Sequence, residues 1–167
     1  MTVYRNVASL ILAVMLLQAA SGILSVSTPL ALNYMGASAL GVGMVAAVFS
    51  AGFMFGAWFA PDIVRQIGHI RAYSAAAAIY AVGILSMGLA FDPVAWGIFR
   101  LFQGAASAIM FTSAESWIAD STPRSKRGGV MGLYQLMLKV ALSSASLLIA
   151  EHTAEDIRPF IWALLRM

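Results

Sequence analysis

Residues 29–61 read PLALNYMGASALGVGMVAAVFSAGFMFGAWFAP, an apolar run without a charged residue, held between Pro29 and Pro61. Prolines recur at Pro93, Pro123 and Pro159, with apolar stretches of similar length between them. At about 1.5 Å of rise per residue, roughly 20 helical residues cross the ~30 Å hydrocarbon core of a bilayer. Proline blocks helix continuation, so one near each boundary predicts the point where a span gives way to a loop. The spacing predicts helices near 7–30, 38–60, 72–91, 94–119 and 129–150, with a partial sixth over 159–167. The expected fold class is therefore an all-α membrane protein, with residues 1–167 forming a single transmembrane domain.

Composition agrees. Apolar residues make up 61% of the chain and charged residues 10%, against about 25% charged in ordinary soluble domains. A net charge of +3 embedded in such sequence gives no basis for nucleic-acid binding. There is no cysteine, which excludes disulfides and thiolate chemistry. The two histidines, His69 and His152, fall in loops predicted on opposite sides of the membrane, so neither a metal cluster nor a Ser-His-Asp triad is expected. No catalytic residue, metal site or cofactor is predicted, and the chain does not read as an enzyme. Arg5, the apolar run Val7 to Leu17 and the small residues Ala19, Ala20 and Ser21 resemble a signal peptide. The apolar character continues to Leu32, which favours a first span instead.

Charge distribution sets an orientation. Arg5, Arg65, Arg71, Arg124, Lys126 and Arg127 lie on one predicted side, and only Arg158 on the other, beside Asp92, Glu151, Glu155 and Asp156. Basic residues concentrate in cytoplasmic loops, so the N-terminus and the 61–71 and 120–128 loops are expected in the cytoplasm, in a multi-pass inner-membrane protein. The nine residues from Pro159 to Met167 cover about half a crossing, so the chain either stops early or is a piece of a longer protein.

Three charged residues fall within spans: Arg100, Glu115 and Lys139. A charge in hydrocarbon costs at least ~2.5–3.5 kcal/mol, so such residues usually face a cavity or a partner. At 100° per residue, Arg100, Gly104, Ser107, Phe111 and Glu115 share one sector of the fourth helix, with Gln103 at its border. Gln135, Lys139, Ser143 and Ser146 line up on the fifth, and Gln18, Ser21, Ser25 and Thr28 on the first. Bland readings stand beside these: serines bonding their own helix carbonyls, Glu115 pairing with Arg124 or Lys126, and Arg100 snorkelling outward. Lys139, near mid-span, reaches neither surface easily. Gly52 and Gly56 form a GxxxG pair, with Gly41 and Gly43 earlier on the same helix, which predicts close helix packing.

Two stretches carry a family resemblance. Arg100-Leu101-Phe102-Gln103-Gly104 resembles the fourth-helix RxxQG motif of the major facilitator superfamily of secondary transporters. The segment from Gly56 to Arg71 lies where that superfamily has a Gly-rich, basic loop of pattern GxLaDRxGRR. Anchored on Gly68, the acidic slot holds Arg65 and the leading glycine slot Pro61, with Asp62 as the substitute acid. Ala60-Pro61, Gly68-His69-Ile70-Arg71-Ala72 and Glu115-Ser116-Trp117-Ile118-Ala119-Asp120 resemble a little-characterised bacterial branch. The fifth-helix glycine-proline motif of drug antiporters is absent, since residues 141–146 read Ala-Leu-Ser-Ser-Ala-Ser.

The resemblance implies the N-terminal six-helix half of a twelve-helix transporter, with five full spans, a partial sixth and the C-terminal half absent. Helices one, two, four and five would line a cavity closed by an equivalent half or partner chain, which rocks to give alternating access. It places Arg100 at the motif arginine, tied to substrate or to proton or ion coupling. Gln103, Lys139, Glu115, Gln18 and Gln135 are the further candidates for binding or coupling, and Gly56, Asp62, Arg65, Gly68 and Arg71 form the inter-helix motif. Arg100 and Lys139 would make the cavity positive, favouring an anionic small-molecule substrate or an acidic partner. The alternatives are a non-transporting membrane scaffold and an oligomeric pore.

Overall fold

A computed structural model describes the backbone of residues 2–151, and the side chains of 11–144 and 147. It contains five helices: α1 (Thr2–Tyr34), α2 (Ala39–Ile67), α3 (His69–Leu89), α4 (Pro93–Ser121) and α5 (Arg127–Glu151). The sixth helix expected from Pro159 lies outside the described residues.

Two of the prolines do not end their helices. Pro29 lies inside α1 and Pro61 inside α2, and each helix runs on for at least another turn. A proline removes one backbone donor and crowds the carbonyl four residues earlier, which a long helix in a membrane protein can absorb locally. The actual stop of α1 is Gly36, with φ at 79°. Its N–H donates to the Asn33 carbonyl and that of Ala37 to the Leu32 carbonyl, both at 3.0 Å, the paired closure of a glycine-capped helix end. Ser38 then caps α2 by accepting the Gly41 N–H on its hydroxyl at 3.2 Å. Pro93 does sit at a boundary, at the start of α4, where its missing donor costs nothing. Asp92 before it accepts the Ala95 N–H at 2.8 Å.

The expected 61–71 loop is almost entirely helical. Only Gly68 separates α2 from α3, at φ 85° and ψ 159°. Its N–H closes α2 on the Val64 carbonyl at 2.9 Å, and its own carbonyl accepts the Ala72 N–H at 3.0 Å to open α3. A single residue serves both helix ends because glycine alone adopts that conformation without strain.

The chain divides into two compact units, residues 30–113 and residues 2–29 with 114–151. In the first, Leu32, Val45, Met87 and Trp96 make a core, flanked by Met35, Val42 and Phe99. The Trp96 indole N–H donates to the Ala90 carbonyl at 2.6 Å and the Met87 carbonyl at 3.1 Å, tying the start of α4 to the end of α3. Buried positions on α2 (Val45, Gly52, Gly56, Ala60, Val64) and on α3 (Ala72, Ala76, Tyr80, Gly83, Met87) recur every three, four or seven residues, so each helix buries one narrow seam. In the second unit, Val14 of α1, Ala114 and Ile118 of α4, and Tyr134 and Leu138 of α5 are buried.

Large apolar side chains are exposed on α2 and α3. Met54, Phe55, Trp58, Val82, Leu85 and Leu89 are exposed, all on helices that bury small residues on the opposite side. Ile11–Tyr34, Ala39–Ile67, His69–Leu89 and Pro93–Ser121 are each long and apolar enough to cross a bilayer. The fifth expected span forms a helix of 25 residues, its apolar course interrupted by Gln135 and Lys139. Small residues within and large apolar ones without is the arrangement of a helical membrane protein.

Candidate functional site

Close approach of α2 and α4 governs where the motif residues go. A Cβ at Gly52 would strike the Leu101 carbonyl, and one at Gly56 would lie 2.5 Å from the Ala105 Cα. A Cβ at Gly104, the motif glycine, would strike the Phe49 carbonyl. Three glycines thus bring the two backbones together, and the GxxxG pair is a packing device, as expected. Gly43 meets nothing within 4 Å and Gly41 only its own cap region, so these two take no part in that crossing.

This crossing carries Arg100 inward. Its side chain is 8% exposed, and its guanidinium carbon lies 5.4 Å from the Phe49 ring centroid. The buried Tyr80 of α3 interacts with it electrostatically. Snorkelling is therefore not what this arginine does: α2, α3 and α4 enclose it. Gln103 is fully buried, with its side chain against Gly83 of α3 and its amide within 3.5 Å of the Met87 sulfur. Its Oε1 finds no hydrogen-bond partner. Phe111, on the same face of α4, meets Phe53 of α2 with centroids 6.3 Å apart. Of the stripe read from the sequence, Arg100, Gly104 and Phe111 pack on α2.

Glu115 belongs to the second unit, where its Oε1 accepts a hydrogen bond from Gln135 Nε2 at 2.9 Å. The partner the structure supplies is an α5 amide, in place of the loop residues Arg124 and Lys126. Gln135, Lys139 and Ser143 are all exposed, whereas Tyr134, Leu138 and Ala141 of the same helix are buried. The polar stripe of α5 therefore lies opposite its packing seam; the side chain of Ser146 lies outside the described residues. Gln18 and Thr28 of α1 are buried, and Ser25 donates to the Gly22 carbonyl at 2.7 Å, the local bonding expected of a helix serine.

The inter-helix motif is distributed over two helices. Gly56 packs on α4, Asp62 and Arg65 form an exposed ion pair at 2.7 Å on the last turns of α2, Gly68 is the linker, and Arg71 is exposed on the first turn of α3. Asp62 thus neutralises Arg65 within one helix. Phe49, Tyr80 and Trp96 were not among the sequence candidates, since an aromatic inside an apolar run carries no signal of what it touches. Among the described residues no group of histidines and acids could hold a metal ion.

Long apolar helices, glycine-mediated crossings and charged groups placed within the spans define a multi-pass helical membrane protein. The sequence profile of the Major Facilitator Superfamily matches residues 10–157, and the chain belongs to that family. Among its relatives, an Escherichia fergusonii protein named "Uncharacterized MFS-type transporter YcaD" is 26% identical over 168 residues, covering 99% of this chain and 44% of its own. Proteins of the same name from Salmonella arizonae and Salmonella typhi are each 26% identical, covering 96% and 97% of this chain and 42% and 43% of theirs. The chain spans less than half the length of these relatives.

Proposed function

We propose that this chain supplies the N-terminal half of a secondary active transporter that moves small solutes across the bacterial cytoplasmic membrane by alternating access. Family membership supports transport as the activity. The observation that carries the reading is the stripe Gln135, Lys139 and Ser143 on the exposed side of α5, opposite Tyr134 and Leu138. A mid-helix ammonium facing lipid would be costly, so this face belongs to a hydrated cavity that a second, equivalent half closes. Lys139 then gives the cavity wall a cation at which an anionic solute binds, with proton or ion coupling supplied at the same wall. Glu115, Gln135 and Gln18 lie in the same unit as Lys139 and contribute to it. Arg100 and Gln103 act within their own unit, by fixing α4 against α2 and α3. The N-terminus and the basic turns at Arg65–Arg71 and Arg124–Arg127 face the cytoplasm.

The purified 167-residue chain in liposomes tests this reading. Half a cavity cannot alternate, so the chain alone should accumulate no solute, and supplying a second half should restore uptake. Substrate-coupled uptake by the chain on its own would overturn the proposal in favour of an oligomeric pore.

A further inference from the structure

The hydrogen bond between Glu115 and Gln135 does more than join α4 to α5. A carboxylate can only accept, so the Gln135 amide must meet it through its NH2 group, as the Nε2–Oε1 contact of 2.9 Å has it. That fixes the orientation of an amide otherwise free to flip. The Gln135 carbonyl oxygen is left as an acceptor on an exposed face. Lys139 follows four residues later on that face, also exposed, and side chains at this spacing start about 5–6 Å apart. Among the described residues, no partner is found for the Lys139 ammonium or for the remaining Gln135 oxygen. The face therefore offers a neutral acceptor and a cation within reach of one small molecule.

We propose that Gln135 and Lys139 together recognise a carboxylate that bears a hydrogen-bond donor on its neighbouring carbon, a hydroxyl or an ammonium, and that Glu115 is the positioning residue. Lys139 takes the carboxylate. The Gln135 carbonyl takes the donor, and does so because Glu115 holds its NH2 group turned away. This deepens the reading of the α5 face as a cavity wall and rests on it. It also assigns the two charges different tasks: the ammonium binds, and the carboxylate selects.

The chain has only four glutamines, Gln18, Gln66, Gln103 and Gln135, so side-chain amide resonances of a glutamine-labelled sample in amphipol can be followed one by one. Lactate and propionate are the probes, equal in charge and differing in the hydroxyl. Lactate should shift the Gln135 amide at about fivefold lower concentration than propionate, the discrimination one neutral hydrogen bond provides. In Glu115→Gln the partner can donate as well as accept, so the Gln135 amide loses its fixed sense. The lactate preference should fall to about one while propionate still binds; Lys139→Met should abolish the response to both. Unmoved Gln66 and Gln103 signals report an intact fold. Equal response to lactate and propionate in the unaltered chain overturns the proposal without any variant, as does a preference that survives Glu115→Gln. Because binding is read directly, a failure of transport by the chain bears only on the alternating-access reading.

Discussion

The Arg100 guanidinium carbon lies 5.4 Å from the centroid of the Phe49 ring, in the unit where Gly104 brings α4 against the backbone of the same Phe49. One residue of α2 thus offers its carbonyl to the motif glycine and its ring to the motif arginine. A cation held over an aromatic face, with most water excluded, is worth about 1–2 kcal/mol. A double-mutant cycle on Arg100→Met and Phe49→Leu, followed by thermal unfolding in detergent, should return a coupling of about 1 kcal/mol. Strictly additive losses would show that the two side chains are neighbours without an interaction.

The α2–α4 crossing makes a second prediction. Gly52→Ala and Gly104→Ala place a methyl group against backbone atoms of the facing helix, which cannot yield as a flexible side chain would. Each should destabilise by about 3 kcal/mol, the upper part of the range for overpacking. Gly43→Ala, on the same helix as Gly52 but with nothing within 4 Å, is the control. It should be neutral or gain about 0.5–1 kcal/mol from helix propensity. Equal effects at Gly43 and Gly52 would remove the crossing as the cause.

At Gly68 the backbone sits at φ 85° and ψ 159°, a region almost closed to residues with a Cβ. No neighbouring atom would obstruct the added methyl, so any penalty is purely conformational. Gly68→Ala should cost about 1–3 kcal/mol. The loss should be undiminished when nearby side chains are trimmed, which separates it from a packing effect.

How much of this was written in the sequence depends on the range of the interaction. Helices were legible because about 20 apolar residues in a row leave few other options. Their ends were less so: Pro29 and Pro61 suggested stops, but α1 closes at Gly36 and α2 at Gly68, where the backbone turns to positive φ. Gly52 and Gly56 announced a close approach, yet nothing in their spacing named α4 as the partner. Glu115 and Gln135 were both candidates on their own helices, and only the fold brings residues 20 apart in sequence to 2.9 Å. Arg100 was legible as a charge inside a span, whereas Phe49, inside an unbroken apolar run, gave no sign that its ring would lie beside that charge.

Orientation is testable with single cysteines, since the chain has none of its own. Ser125 lies among Arg124, Lys126 and Arg127, and is exposed between α4 and α5. Phe91 is exposed in the turn between α3 and α4, beside Asp92. With basic turns on the cytoplasmic side, an impermeant thiol reagent applied to intact cells should label Phe91→Cys and spare Ser125→Cys. Permeabilised cells should show both labelled. Labelling of Ser125→Cys alone in intact cells would invert the topology.

Lys139 carries the strongest functional expectation. It occupies the middle of α5, on the side away from Tyr134 and Leu138, and Gln135 and Ser143 share its exposure. An ammonium on that face meets either lipid or a hydrated cavity, and these predict opposite consequences of removing its charge. Lys139→Met keeps the length of the side chain and a high helix propensity. Against lipid, losing a charge that costs at least ~2.5 kcal/mol should stabilise the protein and leave transport intact. In a cavity, the same change should leave insertion and expression unaltered while transport by the assembled halves is lost. Uptake measured beside membrane-inserted protein separates the two, and a fully active, more stable Lys139→Met would return the α5 stripe to lipid.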